Sequence, residues 1–140
     1  MASTGVRLRI DFGAGRGLGP GKVSLLEEMQ RTGSMSEAAR SMGMSYRRAW
    51  LLVQSMNSLF DEPLARMSKG GRGGGGGAQV TPLGRETVAA FRRAEEEASR
   101  AVARAFRSFP ITGAELPLRA TVKPIRGPLA RPRLRRVISN

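Results

Sequence analysis

Gly43 separates two short segments that each open on a helix-start signal, and this spacing constrains the fold more than any other feature. Ser34-Met-Ser-Glu37 has the pattern of a capping box. The Ser34 hydroxyl can accept from the Glu37 amide while the Glu37 carboxylate reaches back to the Ser34 amide. A short helix from Met35 to about Met42 follows, and Ala38 and Ala39 let a neighbouring helix come close. Gly43 suits a left-handed turn at its end. Ser45 then caps a further helix, Tyr46 to about Phe60. Its Ala49, Val53, Met56 and Phe60 are spaced by four, three and four, which makes one buried stripe.

The flanks supply the remaining elements. Val6, Leu8, Ile10 and Phe12 alternate with Arg7, Arg9 and Asp11, which predicts a half-buried strand over Val6 to Phe12. Gly13 to Gly21 is expected to break structure. A helix with Val23, Leu25, Leu26 and Met29 on its apolar side follows and ends near Gly33. After the Tyr46 helix, Pro63 forbids continuation. Leu64 to Ser68 and Gln79 to Thr81 are expected to pair as strands around a flexible cationic loop, Lys69 to Ala78. Thr81 caps a long helix with Pro82 at its first position, where the missing N–H costs nothing. That helix is expected to run to about Phe109, where Pro110 stops it.

The charge balance points to a partner class. Lys and Arg number 24 against 11 Asp and Glu, a net charge of +13 with a pI near 11.8. Self-repulsion of that size calls for an anionic partner, nucleic acid first and an acidic membrane surface second. The chain has no Cys and no His, which removes thiolate metal sites, the commonest metal ligand and the usual general base. No nucleophile–base pair is visible, so an enzyme is not expected, nor a cofactor or metal. Gly71 to Gly76 matches G-x-G-x-x-G, but the dinucleotide motif needs a helix directly after it and a strand is expected here. Glu95, Glu96 and Glu97 point around a helix rather than into one site. With no signal peptide and no apolar run of about 20 residues, the expectation is a cytoplasmic protein associated with the nucleoid, without a membrane partner.

The order of elements is that of a winged helix-turn-helix followed by a long association helix: mainly α, with a small β-hairpin wing. Four parts are expected. Residues 1–21 form an N-terminal strand and Gly-rich loop, and residues 22–81 the winged domain. Residues 82–109 form the long helix, and residues 110–140 a basic Pro- and Arg-rich tail expected to be disordered. Small Ala residues permit close helix pairing. A homodimer along Phe91, Ala94, Ala98, Ala101 and Ala105 is therefore expected, widened by Val88, Val102, Phe106 and Phe109; packing back on its own domain is the alternative.

Residues Val23 to Phe91 resemble the N-terminal domain of the molybdate-responsive ModE-type regulators of bacteria. The resemblance lies in Val23-Ser-Leu-Leu26, Gly33-Ser-Met-Ser36, Gly43-Met-Ser-Tyr-Arg-Arg-Ala-Trp50 and Met56-Asn57. Its most specific part is the glycine-rich wing, Gly70 to Gly77, followed by Val80-Thr-Pro-Leu-Gly84. LysR-type regulators share the helix arrangement but not this wing. The resemblance implies sequence-specific binding of double-stranded DNA and transcription regulation. By position, Tyr46, Arg47 and Arg48 meet base edges, and Ser45 with the helix N-terminus holds a phosphate. Lys69 and Arg72 contact the backbone or minor groove. For Trp50, packing and backbone contact both stay open, as do base contact and packing for Tyr46. The family's molybdate-binding modules are not expected in the thirty or so residues after Pro110, so no molybdate site is expected in this chain. An architectural nucleic-acid-binding protein and a protein-binding adaptor are the alternatives.

Overall fold

The computed structural model describes residues 5–68 and 77–110. Lys69, Arg72 and the tail beyond Pro110, for which sequence expectations were stated, lie outside the described residues. The described residues form four helices and two small antiparallel hairpins, in the order β1 (Ile10–Asp11), β2 (Gly17–Leu18), α1 (Pro20–Thr32), α2 (Met35–Ser41), α3 (Tyr46–Asn57), β3 (Ala65–Ser68), β4 (Gly77–Val80) and α4 (Pro82–Ala105).

The N-terminal strand is shorter than its alternation implies. Burial alternates from Gly5 to Asp11, but ladder pairing is confined to Ile10↔Leu18 and Asp11↔Gly17. The partner strand is short because Pro20 starts α1 directly after Gly19. The glycine stretch is therefore not all loop. Its turn runs through Gly13, Ala14 and Gly15, all at positive φ, and it then delivers Leu18 into the core at 2% exposure.

Local chemistry sets the helix ends. The left-handed Gly33 closes α1, its amide donating to the Met29 carbonyl at 2.8 Å. The Ser34 hydroxyl accepts from the Glu37 amide at 3.3 Å. The reciprocal half of the capping box is filled differently: the Ser34 amide donates to Thr32 Oγ1 at 3.2 Å, and Glu37 stays exposed. A nearer hydroxyl has taken the place of the carboxylate. Gly43 turns the chain at φ 66°, and the Ser45 hydroxyl accepts from the Arg48 amide at 3.1 Å to open α3. α3 stops at Asn57, so Phe60 lies past its end, where its ring meets Phe12 edge-on at 6.1 Å.

One core joins these pieces. Val23, Leu25, Leu26 and Met29 of α1 pack with Met35 and Ala38 of α2 and with Val53 and Met56 of α3. Leu64, Val80 and Phe91 close the far side of the same cluster. Each large side chain buried here contributes about 1.5–3 kcal/mol. The hairpin β3–β4 is in register from Ala65↔Val80 to Ser68↔Gly77. It does not stand alone: the Ala78 amide donates to the Gly33 carbonyl at 2.9 Å, and Ser34 bridges Gly77.

α4 corrects part of the pairing expectation. Phe91 is 2% exposed and belongs to its own domain's core, so it is not free to meet a second copy. Arg92 adds a polar tie, its guanidinium holding Glu27 at 2.6 Å and the Ser24 hydroxyl at 3.0 Å on α1. Ala94 and Ala98 are half-buried, whereas Ala101 and Ala105 are exposed along with Val102 and Phe106. The helix ends at Ala105 rather than at Phe109; Phe106 caps it, and the Phe109 amide closes a turn onto the Phe106 carbonyl at 3.0 Å.

Candidate nucleic-acid interface

α3 buries one side and leaves the other bare. Ala49, Val53 and Met56 face the core. Tyr46, Arg47, Arg48, Trp50, Leu51 and Gln54 are exposed. At about 100° per residue, Arg47, Leu51 and Gln54 form the centre of the outward face, with Tyr46 and Trp50 along one flank and Arg48 on the other. Trp50 is 42% exposed and Tyr46 47% exposed, so neither ring is taken up by the core.

The N-terminal end of α3 leaves hydrogen-bond donors open. The Ser45 hydroxyl caps the Arg48 amide, while the amides of Tyr46 and Arg47 sit in the first turn, where no intrahelical acceptor exists. The hydroxyl hydrogen of Ser45 stays available to donate. α3 contains no carboxylate. The carboxylates that the described residues pair with arginine lie elsewhere: Asp11 with Arg9, Glu28 with Arg31, Glu27 and Glu95 with Arg92, and Glu96 with Arg100. The exposed face of α3 therefore carries positive charge with no acid of its own.

Two links hold α3 in place. Lys22 on α1 donates to the Gly17 carbonyl at 2.8 Å and to the Ser55 hydroxyl on α3 at 2.9 Å. Burial, and after it the nearby Arg9 charge, lowers the pKa of that ammonium. At the other end, Asn57 Oδ1 accepts from the Leu64 and Ala65 amides at 2.9 and 3.2 Å, and its Nδ2 donates to the Ala65 carbonyl at 2.9 Å. One amide side chain thus docks the hairpin onto the end of α3.

Sequence reasoning missed two exposed residues on these elements. Arg66 lies on the open face of β3, directly opposite Gln79. The alternation of Ala65, Arg66, Met67 and Ser68 carries that signal. Leu51 is 51% exposed in the middle of the outward face of α3, and its position off the Ala49–Val53–Met56 stripe marks it.

The arrangement is that of a winged helix-turn-helix protein: α2, a glycine turn, α3, then a hairpin docked beside them. Comparison with known proteins narrows this. The chain is homologous to the N-terminal region of ModE regulators. It is 46% identical over 77 residues to the molybdenum-pterin-binding protein MopB of Rhodobacter capsulatus, covering 55% of this chain and 28% of that protein. It is 41% identical over 91 residues to the molybdenum transport protein ModE of Azotobacter vinelandii, covering 65% of this chain and 33% of that protein. It is 38% identical over 69 residues to the DNA-binding transcriptional dual regulator ModE of Escherichia coli, covering 49% of this chain and 26% of that protein. The matches span about a quarter to a third of those relatives' length. No family model matches the chain. By their names, these relatives are a molybdenum-pterin-binding protein, a molybdenum transport protein and a DNA-binding transcriptional regulator. No helix among the described residues is long and apolar enough to cross a membrane.

Proposed function

We propose that this chain binds double-stranded DNA in a sequence-specific manner and acts in transcription regulation. The observation that carries this reading is the outward face of α3, where exposed Arg47 and Arg48 stand at the N-terminal turn of a helix free of acidic residues. An arginine there can pair with guanine O6 and N7, for about 1–3 kcal/mol of discrimination. Tyr46 and Trp50 lie on the flank of the same helix, the place for packing along the groove wall. Lys69 and Arg72 in the wing, with Arg66 at its base, supply backbone contacts that position the protein without reading sequence. The name of the Escherichia coli relative supports the same role.

A two-fold dimer is part of the proposal, with Phe91 removed from its contact. Ala98, Ala101 and Ala105 with Val102 and Phe106 form the pairing surface, and two copies would read half-sites spaced by whole turns. Sedimentation at micromolar concentration is expected to give a dimer, and a clean monomer would remove this part.

Selection from a random duplex pool tests the function. One sequence should emerge and bind about 10³-fold or more above random DNA. Arg47→Ala and Arg48→Ala should lose that preference. Arg72→Ala should weaken all duplexes alike and flatten the salt dependence by about one unit. Equal binding of all duplexes would reduce the chain to an architectural role. No binding at low salt would favour a protein-binding adaptor.

A further inference from the structure

Leu51 is an apolar side chain, 51% exposed, in the middle of the outward face of α3, opposite the buried Ala49, Val53 and Met56. Arg47 lies four residues before it, Gln54 three residues after it and Arg48 three before; all three are exposed. On a helix these, with the half-buried Ser55 four residues after it, are its nearest surface neighbours. Leu51 is not needed by the core, since its neighbour Leu52 packs against the core instead. A leucine with long polar side chains on three sides suits a partner that presents an apolar spot among hydrogen-bonding groups. A major-groove edge does this at thymine alone, whose 5-methyl projects beside acceptors and donors.

We propose that Leu51 reads a thymine 5-methyl group, and so sets a specificity position distinct from those read by Arg47 and Arg48. The inference rests on α3 entering the major groove, as proposed above. Arg47 and Gln54, one turn to either side, then lie over the base pairs flanking that thymine. The contact needs no hydrogen bond and gives a preference for thymine over both cytosine and uracil at the same position.

The test separates this claim from the one beneath it. The duplex selected by the full chain is remade with each thymine replaced singly by deoxyuridine, which removes only the methyl. Wild type should bind one such duplex per half-site about fourfold more weakly, the value of one buried methyl. Leu51→Ala should bind the thymine and deoxyuridine forms of that position equally while keeping its preference at the other positions. Because Leu51 is half-exposed, the variant should melt with wild type. Three results would overturn the proposal: specific binding indifferent to every methyl, an unchanged deoxyuridine penalty in Leu51→Ala, or a penalty that vanishes in Trp50→Ala instead. Failure to select any sequence would remove the groove reading itself, and this inference with it.

Discussion

The Ala78 amide donates to the Gly33 carbonyl at 2.9 Å, which stitches the return strand of the hairpin to the turn between α1 and α2. Gly33 holds φ 67°, a conformation that penalises any residue with a Cβ. Gly33→Ala should therefore cost about 1–2 kcal/mol of stability. It should also speed hydrogen exchange at Ala78. Gly43→Ala, at φ 66° in the other turn, should carry a similar cost and leave Ala78 exchange unchanged. Equal effects of both variants on Ala78 would show that the link does not transmit.

Gly84 occupies a position where no side chain fits. An added Cβ would overlap the Leu64 carbonyl and stand 2.7 Å from Val80 Cγ1. The close approach is drawn tight by Thr81, whose hydroxyl donates to the Pro63 carbonyl at 2.8 Å while its amide donates to the Leu64 carbonyl at 2.9 Å. Gly84→Ala should destabilise the fold by about 1–3 kcal/mol through overpacking against backbone, measured by urea denaturation. An unchanged midpoint would mean α4 can slide away from β3.

Asn57 satisfies two amides and one carbonyl of the residues entering β3. Truncation leaves them partly buried without partners, at about 1–3 kcal/mol for an unsatisfied group. Asn57→Ala should lower stability by at least that much. Asn57→Asp should keep both amide bonds and lose the donation to Ala65, so it should fall between wild type and Ala in a chemical melt. If Asp and Ala were equally damaging, the Ala65 carbonyl bond would be the one that matters.

Glu28 links α1 to α2 by accepting from the Ser41 hydroxyl at 2.7 Å, and it also accepts from Arg31 on its own helix at 2.6 Å. The Arg31 hydrogen bond first, then that of Ser41, holds its carboxyl below the ordinary glutamate value. The folded state thus binds this proton less readily than the unfolded state. The stabilisation is full above the ordinary glutamate range and disappears as pH falls through the lowered value. The melting temperature of wild type should drop more steeply with acid than that of Glu28→Gln. Parallel curves would remove Glu28 from the acid response.

Much of the helix-turn-helix was legible in the chain because its signals are local. The caps and turns made by Ser34, Gly43, Ser45, Thr81 and Pro82 close within four residues, and each stands where it was expected. Longer reach is where legibility failed. The Glu37 carboxylate lost its expected partner to Thr32, a competitor that only the path of the α1–α2 turn brings near. The apolar stripe of α4 could not say which molecule it would meet, and at Phe91 the answer is its own core.

By itself, the order of residues determined where α2, α3 and α4 start, which residues turn, and that the chain carries a large positive charge. These depend on hydrogen bonds and dihedral preferences between near neighbours. Only the tertiary structure decided that Asn57 docks the hairpin, that Gly84 admits it and that Phe91 packs into its own core. Each of those depends on what surrounds a side chain once distant segments have packed, and pattern along the chain does not specify that environment.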